Sequence, residues 1–309
     1  MINSSLLTKL SNKKIGVLYG GISSEREVSI KSGKAILSVL DRLKLNVCGI
    51  DVDKDIVKEI RKNKIDVAYL ALHGNLGEDG TIQGMLEILG IPYTGCGVLA
   101  SSISMNKDIS KRLFKNTGIL TPDWKTLSRL DSIPEIKMYP VIVKPVSQGS
   151  TIGVSIVKET SELADAVEKA FKYDDDVLIE QFIVGKEITV GIIDGKALPI
   201  LEIIPKGQLY DFESKYQKNG SEHIIPAKIT EKSYKAAQNN AEKLYEILRC
   251  RGICRFDMII DLNNRVWVLE NNTIPGMTET SLILDAGKSM GYSFEDLVLK
   301  ILESALIIK

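Results

Sequence analysis

Histidine is almost missing from this sequence. Among 309 residues only His73 and His223 occur, so chemistry built on a histidine cluster is excluded. Cysteine is sparse as well: Cys48, Cys96, Cys250 and Cys254. The last two are spaced C-x₃-C with no histidine pair nearby, which argues against a zinc site. Reduced thiols in a cytosolic protein are the simpler reading. Net charge is absent too, because 40 basic and 40 acidic side chains cancel. Nothing therefore favours a nucleic-acid or anionic-membrane partner. No apolar run approaches the roughly 18 residues of a membrane helix. The opening stretch MINSSLLTKLSNKK has neither a long apolar core nor a small-residue cleavage site, so no secretory signal is expected.

Two nucleotide signatures are also lacking. The Gly20-Gly21 turn does not complete G-x-G-x-x-G, so a dinucleotide site is not indicated. Gly287-Lys288-Ser289 supplies the end of a P-loop, but Leu282 stands where its first glycine belongs. If ATP binds, it is held in some other way.

What is present is an ordinary composition, 44% hydrophobic and 26% charged, in a chain long enough for two or three domains. The N-terminal third alternates strand, turn and helix. Strands are expected at 15–19, 47–50 and 67–72, with helices at 25–43 and 54–62. That alternation predicts a parallel sheet flanked by helices, in which ligands bind beyond the carboxyl ends of the strands. Glu25 and His73 both follow such ends. Glu25 could equally serve the dipole of the helix it opens. His73 lies in the Gly-rich stretch LALHGNLGEDGTIQG rather than on an apolar face.

The turn-rich link 91–97 marks a domain boundary. A helical stretch carrying Lys107 runs on to about Asn116. A β-branched strand then ends at Lys144, followed by a loop with Gly149, Ser150 and Thr151 and a second strand at 153–157. Such a loop can fold over phosphates with its N–H groups and hydroxyls, although a strand ending in lysine is also common at a sheet edge. Glu180 interrupts the apolar run 177–184, and a carboxylate there needs a specific partner or a wet strand end. Glu187 opens the next strand. Consecutive strands from here imply an α+β arrangement. Residues 205–226 are polar and show no helical or strand period, which suggests a lid. Residues 234–248 and 294–306 are helical in pattern, the latter with apolar residues at helical spacing that suit a core.

The stretch CRFDMIIDLNNRVWVLENNTIPGMTETSL (254–282) reads as a β-hairpin around the turn 261–264. Arg255 and Asp257 then neighbour Glu270 and Asn272. Two facing carboxylates repel unless a cation lies between them, and Asp, Glu and Asn oxygens suit Mg²⁺. Solvated strand ends are the alternative.

Taken together, GGISSEREVS (20–29), HGNLGEDGTIQG (73–84), IPYTG (91–95), VKPVSQGSTIGVS (143–155), EQFIVGKEITV (180–190), YDFESKY (210–216), RFD (255–257) and NTIPGMTETSL (272–282) resemble, in order, the D-alanine–D-alanine ligases of the ATP-grasp superfamily. The resemblance spans residues 15 to about 294. It implies α/β and α+β architecture: an N-terminal Rossmann-like parallel-sheet domain (1–97), then a two-lobed ATP-grasp fold. The central lobe would be 98–184, and the C-terminal lobe 185–309 would carry the metal site and the lid loop 205–226.

It also implies a cytoplasmic, commonly homodimeric enzyme of cell-wall peptidoglycan synthesis. ATP would phosphorylate one D-alanine, and the amine of a second would attack the acylphosphate. Asp257, Glu270 and Asn272 would hold two Mg²⁺ ions, with Mn²⁺ a possible substitute. Lys107 and Lys144 would hold phosphates beneath a closing loop that includes Thr151. Glu180 and Ile183 would meet adenine, and Glu187 the ribose. Glu25 would pair with the first ammonium. His73, Lys215, Ser281 and Leu282 would contact substrate. Arg255 and the Gly276 N–H would form an oxyanion hole. Ser150 and Tyr216 would link across the site to a carboxylate of the ATP-binding lobes.

Alternatives within the fold are D-lactate or D-serine as second substrate, or a silent nucleotide-binding relative; the Lys215-Tyr216 pair matches the D-alanine type. Departures from the family's pattern are Asn271 where an aliphatic residue is usual, Asn106 for Asp, Cys254 for Ala, and Gln148 and Thr151 in the phosphate loop.

Overall fold

The computed structural model describes residues 4–205, 221–278 and 281–306. After a short helix α1 (Ser4–Leu10), strand β1 (Ile15–Gly20), helix α2 (Arg26–Arg42), β2 (Val47–Val52), α3 (Ile56–Asn63) and β3 (Val67–Leu70) form a three-stranded sheet ordered β2-β1-β3. Both pairings are parallel, with Ile15 opposite Val47 on one side and Val67 on the other. Residues Ile15, Val17 and Leu18 are fully buried, as expected for a parallel strand covered on both faces. Residue Tyr93 of the link makes a parallel bridge with Ala68, so the link also extends the sheet.

Helices α4 (Thr81–Ile88), α5 (Val98–Met105) and α6 (Lys107–Asn116) follow. The sequence pattern predicts one helix through Lys107, but Asn106 is extended (φ −86°, ψ 100°) and breaks it. The Asn106 side chain accepts a hydrogen bond from the Ile109 N–H at 3.0 Å, which caps α6. Lys107 thereby becomes the first residue of a new helix.

Strands β4 (Trp124–Ser128), β5 (Val141–Pro145), β6 (Ser155–Val157) and β7 (Asp176–Gln181) form an antiparallel sheet ordered β4-β7-β5-β6, with α7 (Leu163–Phe171) packed on it. A larger antiparallel sheet follows, built from β8 (Gly185–Ile193), β9 (Lys196–Ala197), β10 (Leu201–Pro205), β11 (Ser221–Ile224), β12 (Ile253–Asp261) and β13 (Val266–Asn272), in the order β11-β10-β8-β12-β13 with β9 on β8. Helix α8 (Glu231–Ile247) covers one face, where Ala237, Ala241 and Leu244 meet Val190, Phe256 and Val268. Residues 221–224 fall within the stretch expected to be loop. They form a strand instead, because their backbone groups pair with β10, from Glu202 opposite Ile224 to Pro205 opposite Ser221.

The hairpin is present as β12 and β13. Arg255 lies opposite Asn272, and Asp257 opposite Glu270, with a bulge between Asp257 and Met258. Helices α9 (Leu282–Ser289) and α10 (Phe294–Leu306) end the described chain. Leu297, Val298 and Leu302 of α10 share a core with Ile15, Leu40 and Tyr69 of the N-terminal sheet.

Candidate active site

Two adjoining cavities open onto the β12–β13 hairpin and share Lys107, Ser150 and Glu270. The first is lined by Glu25, His73, Arg255, Asn272, Gly276, Ser281 and Leu282. The second is lined by Lys144, Thr151, Glu180, Ile183, Glu187 and Asp257. Every predicted site residue among the described ones thus lines one cavity or the other. Lys215 and Tyr216 lie outside the described residues.

The first cavity has an acidic end. Glu25 occupies the N-cap of α2 yet makes no side-chain cap hydrogen bond, so capping does not explain it. Its Oε1 accepts a short hydrogen bond from the Ser150 hydroxyl. The resemblance placed a carboxylate of the ATP-binding lobes beside Ser150; the carboxylate bonded to it here is that of Glu25, from the N-terminal domain. The chain reverses from β1 into α2 at this point and delivers Glu25 to the phosphate-loop side of the cleft.

Two glycines permit the approach. A Cβ on Gly149 would stand 2.8 Å from Glu25 Oε2, and one on Gly74 3.1 Å from the same oxygen. Ser150 and Thr151 carry left-handed φ values of 51° and 64°, a strained backbone that concentrates at ligand-binding loops.

Beside Glu25, His73 is 4% exposed. Burial holds its imidazole below the ordinary pKa against the opposing pull of Glu25, so the ring is neutral near pH 7. Its buried Nε2 has no hydrogen-bond partner among the described residues. Glu78 closes this end, accepting from the Gly74 N–H at 2.7 Å. Burial, reinforced by the charge of Glu25, pushes its carboxyl up to about 8.

Lys107 and Lys144 border the second cavity, with Lys111 buried behind Glu180. Glu180, 3% exposed, is paired inside its strand with two ammonium groups: Lys144, which donates a hydrogen bond at 2.9 Å, and Lys111, an ion pair at 2.7 Å. Burial opposes ionisation of Glu180, but the two lysines outweigh it and hold the carboxyl below its usual range. Lys111 is fully buried, and burial draws its ammonium down to about 8 although Glu180 supports the charge. Lys107 donates to the Gln148 carbonyl at 2.5 Å and lies 3.5 Å from Glu270.

Between the cavities, Arg255 forks onto Asp257 with two bonds of 2.8 Å. Thr189 adds a hydroxyl to the same carboxylate at 2.7 Å. Asp257 and Glu270, directly opposed in register, thus each face a cation of the chain. Their donors are all oxygens, and no group of three or more His, Cys, Asp or Glu surrounds them among the described residues. A hard cation that takes one or two carboxylates and completes its shell with phosphates fits this set; zinc does not. Asn272 Oδ1 accepts from the Ile274 N–H at 3.2 Å and keeps a second lone pair.

The family model described as D-ala D-ala ligase C-terminus matches residues 113–303, and D-ala D-ala ligase N-terminus matches 14–60 and 55–96. The chain belongs to the D-alanine–D-alanine ligase family. A D-alanine–D-alanine ligase of Syntrophotalea carbinolica is 47% identical over 302 residues, covering 97% of this chain and 99% of the relative. One from Geotalea uraniireducens is 45% identical, covering 97% of each. Among solved structures, the Bacillus anthracis ligase complexed with ATP superposes with a TM-score of 0.85 at 35% identity, covering 96% and 98% of the two chains. The Coxiella burnetii ligase does so at 0.82 and 29%, covering 96% and 94%.

Within this ligase fold one cavity-lining residue, Glu78, and two that hold site carboxylates from behind, Lys111 and Thr189, escaped the sequence reading. Lys111 stands four residues after Lys107 on α6, the spacing that puts two side chains on one helical face, and that spacing was the available signal. Glu78 was visible only as part of the Gly-rich stretch after His73. Thr189 carries no signal in sequence, because only the β8–β12 register sets it opposite Asp257.

Proposed function

We propose that this protein joins two D-alanine molecules into D-alanyl-D-alanine with ATP, giving ADP and phosphate, for peptidoglycan synthesis in the cytoplasm. One observation supports it above the rest: a cavity whose far end holds Glu25 and Glu78 and a cavity bordered by Lys107 and Lys144 meet at Lys107, Ser150 and Glu270. An amino acid's ammonium suits the first, and a nucleotide's phosphates suit the second. Their junction is where a carboxylate and a γ-phosphoryl group would be brought together.

A carboxylate is a poor electrophile and must be activated. Phosphoryl transfer to it needs positioning and charge neutralisation more than a protein nucleophile. Glu25 would hold the first ammonium, leaving that substrate's carboxylate directed at Arg255 and Gly276. Lys107 and Lys144 would hold phosphate oxygens, while Ile183, Glu180 and Glu187 line the nucleoside end. Asp257, Glu270 and Asn272 would hold Mg²⁺, which supplies charge neutralisation to the phosphates when bound. Ser281 and Leu282, with Lys215 and Tyr216, would receive the second D-alanine. Its amine attacks the acyl carbon of the D-alanyl phosphate, a tetrahedral intermediate forms, and phosphate leaves. Arg255 and the Gly276 N–H would carry the oxyanion.

The domain limits 1–97, 98–184 and 185–309 and a homodimeric assembly are parts of the same reading, the latter checked by light scattering. Phosphate release measured with each component omitted tests the activity. It should require ATP, Mg²⁺ and D-alanine together. Release that persists without D-alanine would sink the assignment. Mixed assays with D-lactate or D-serine should yield D-alanyl-D-alanine as the product.

A further inference from the structure

Between Glu270 and Asn272 on β13 stands Asn271, whose side chain leaves the opposite face of the strand and is buried at 6% exposure. Its Nδ2 donates to the Ser104 hydroxyl at 2.8 Å and to Cys250 Sγ at 3.5 Å. Its Oδ1 is buried and has no hydrogen-bond partner among the described residues. A buried acceptor left unmatched costs stability. An apolar residue of the same size would remove that cost, so folding alone gives no reason for an amide here.

The Ser104 bond gives a different reason. Ser104, itself buried, is the penultimate residue of α5, and Lys107 starts α6 three residues later. Only Asn106, extended, separates the two helices. On the cavity side of β13, Lys107 reaches Glu270 at 3.5 Å. Asn271, which with Ser104 also borders the first cavity, reaches Ser104 at 2.8 Å. The two contacts flank one strand and fix it to the same helix corner. The first of them would be disturbed whenever phosphates draw on Lys107; the second does not involve Lys107.

We propose that Asn271 is a positioning residue: its bond to Ser104 sets the separation between the strand carrying Glu270 and Asn272 and the helix corner carrying Lys107. That separation is the spread of the groups that would grip a metal–triphosphate. The inference rests on the nucleotide reading above, in which Lys107, Glu270 and Asn272 act on one ligand.

The test uses Asn271→Leu, Ser104→Ala and the double variant. Calorimetry follows binding of a non-hydrolysable ATP analogue with Mg²⁺, and thermal unfolding is followed in parallel. Asn271→Leu should melt at or above the wild-type temperature yet bind the Mg²⁺ analogue roughly tenfold more weakly, the scale seen when a group that orients metal ligands is lost. Ser104→Ala should weaken binding comparably, and the double variant should be no worse than either single one, because both remove the same bond. Ser104→Thr, which keeps the hydroxyl, should restore affinity.

Binding within twofold of wild type in Asn271→Leu overturns the proposal. So does a fall in melting temperature that accompanies any loss of affinity, since that marks a merely structural role. Should Asn271→Leu fail to fold, Ser104→Ala decides by the same criteria. Wild-type protein that does not bind the analogue with Mg²⁺ at all would refute the nucleotide reading itself, a distinguishable failure.

Discussion

The two cavities share a wall but handle charge in opposite ways. In the first, Glu25 and Glu78 gather beside a neutral imidazole, Arg255 offsets them only in part, and one acid responds by holding its proton: Glu78 is pushed up to about 8. In the second, Glu180 is matched by two lysines and stays ionised. A partly matched cluster leaves room for a further cation, whereas a matched cluster is already part of the fold. The first arrangement suits a ligand that brings an ammonium. The second presents Lys144 from a fixed base. Arg255, clamped on Asp257, stands where the two regimes meet.

That contrast can be broken from either side. The largest effect should come from Lys111→Met. Removing one partner of a buried ion pair typically costs about 3–5 kcal/mol, and Lys111 has no exposed surface to soften the loss. Thermal unfolding should show a marked drop. Stability equal to wild type would mean that Lys144 alone satisfies Glu180.

Next is Arg255→Ala, expected to lower kcat by about 10²–10³ as an oxyanion donor, with a smaller change in the KM for ATP. An unchanged kcat would refute that role. Glu25→Gln removes a charged partner of the substrate ammonium, worth about 1.5–3 kcal/mol. The KM for D-alanine should rise about 10–100-fold while that for ATP holds. A rise in both would erase the division of labour between the cavities.

The smallest effect is on pH dependence, through Glu78. Its carboxyl titrates near 4.5 when unfolded and near 8 when folded, so the folded state binds the extra proton. The stability this contributes is complete below pH 4.5 and is lost as pH rises through 8. Glu78→Gln cannot lose that proton. Melting temperatures of wild type and variant should therefore diverge between pH 4.5 and 8, with wild type falling relative to Glu78→Gln. Parallel curves would show that Glu78 ionises freely.

Much of this was legible in the chain, for physical reasons that differ by region. The parallel sheet was evident because period and punctuation agree: apolar strands at 15–20, 47–52 and 67–70 alternate with helices. The hairpin was evident because its turn is polar and its arms are apolar, and the register then set Asp257 against Glu270 without further information. Three things were hidden. The break at Asn106 depends on a side-chain cap that helical periodicity does not report. Strand 221–224 has no apolar alternation and exists because β10 offers an edge. The bond between Ser150 and Glu25 joins residues 125 apart in sequence, and only the meeting of separate sheets creates it.

The packing of α10 bears on how this molecule is made. Strand β1 is synthesised long before α10, yet the apolar face it shares with α2 and β3 is closed by Leu297, Val298 and Leu302, more than 270 residues later. Until those residues leave the ribosome, the parallel sheet displays an uncovered patch around Leu40 and Tyr69, the kind of surface on which nascent chains aggregate or recruit chaperones. Completion of the first cavity, which hangs from that sheet through Glu25 and His73, is therefore tied to the arrival of α10.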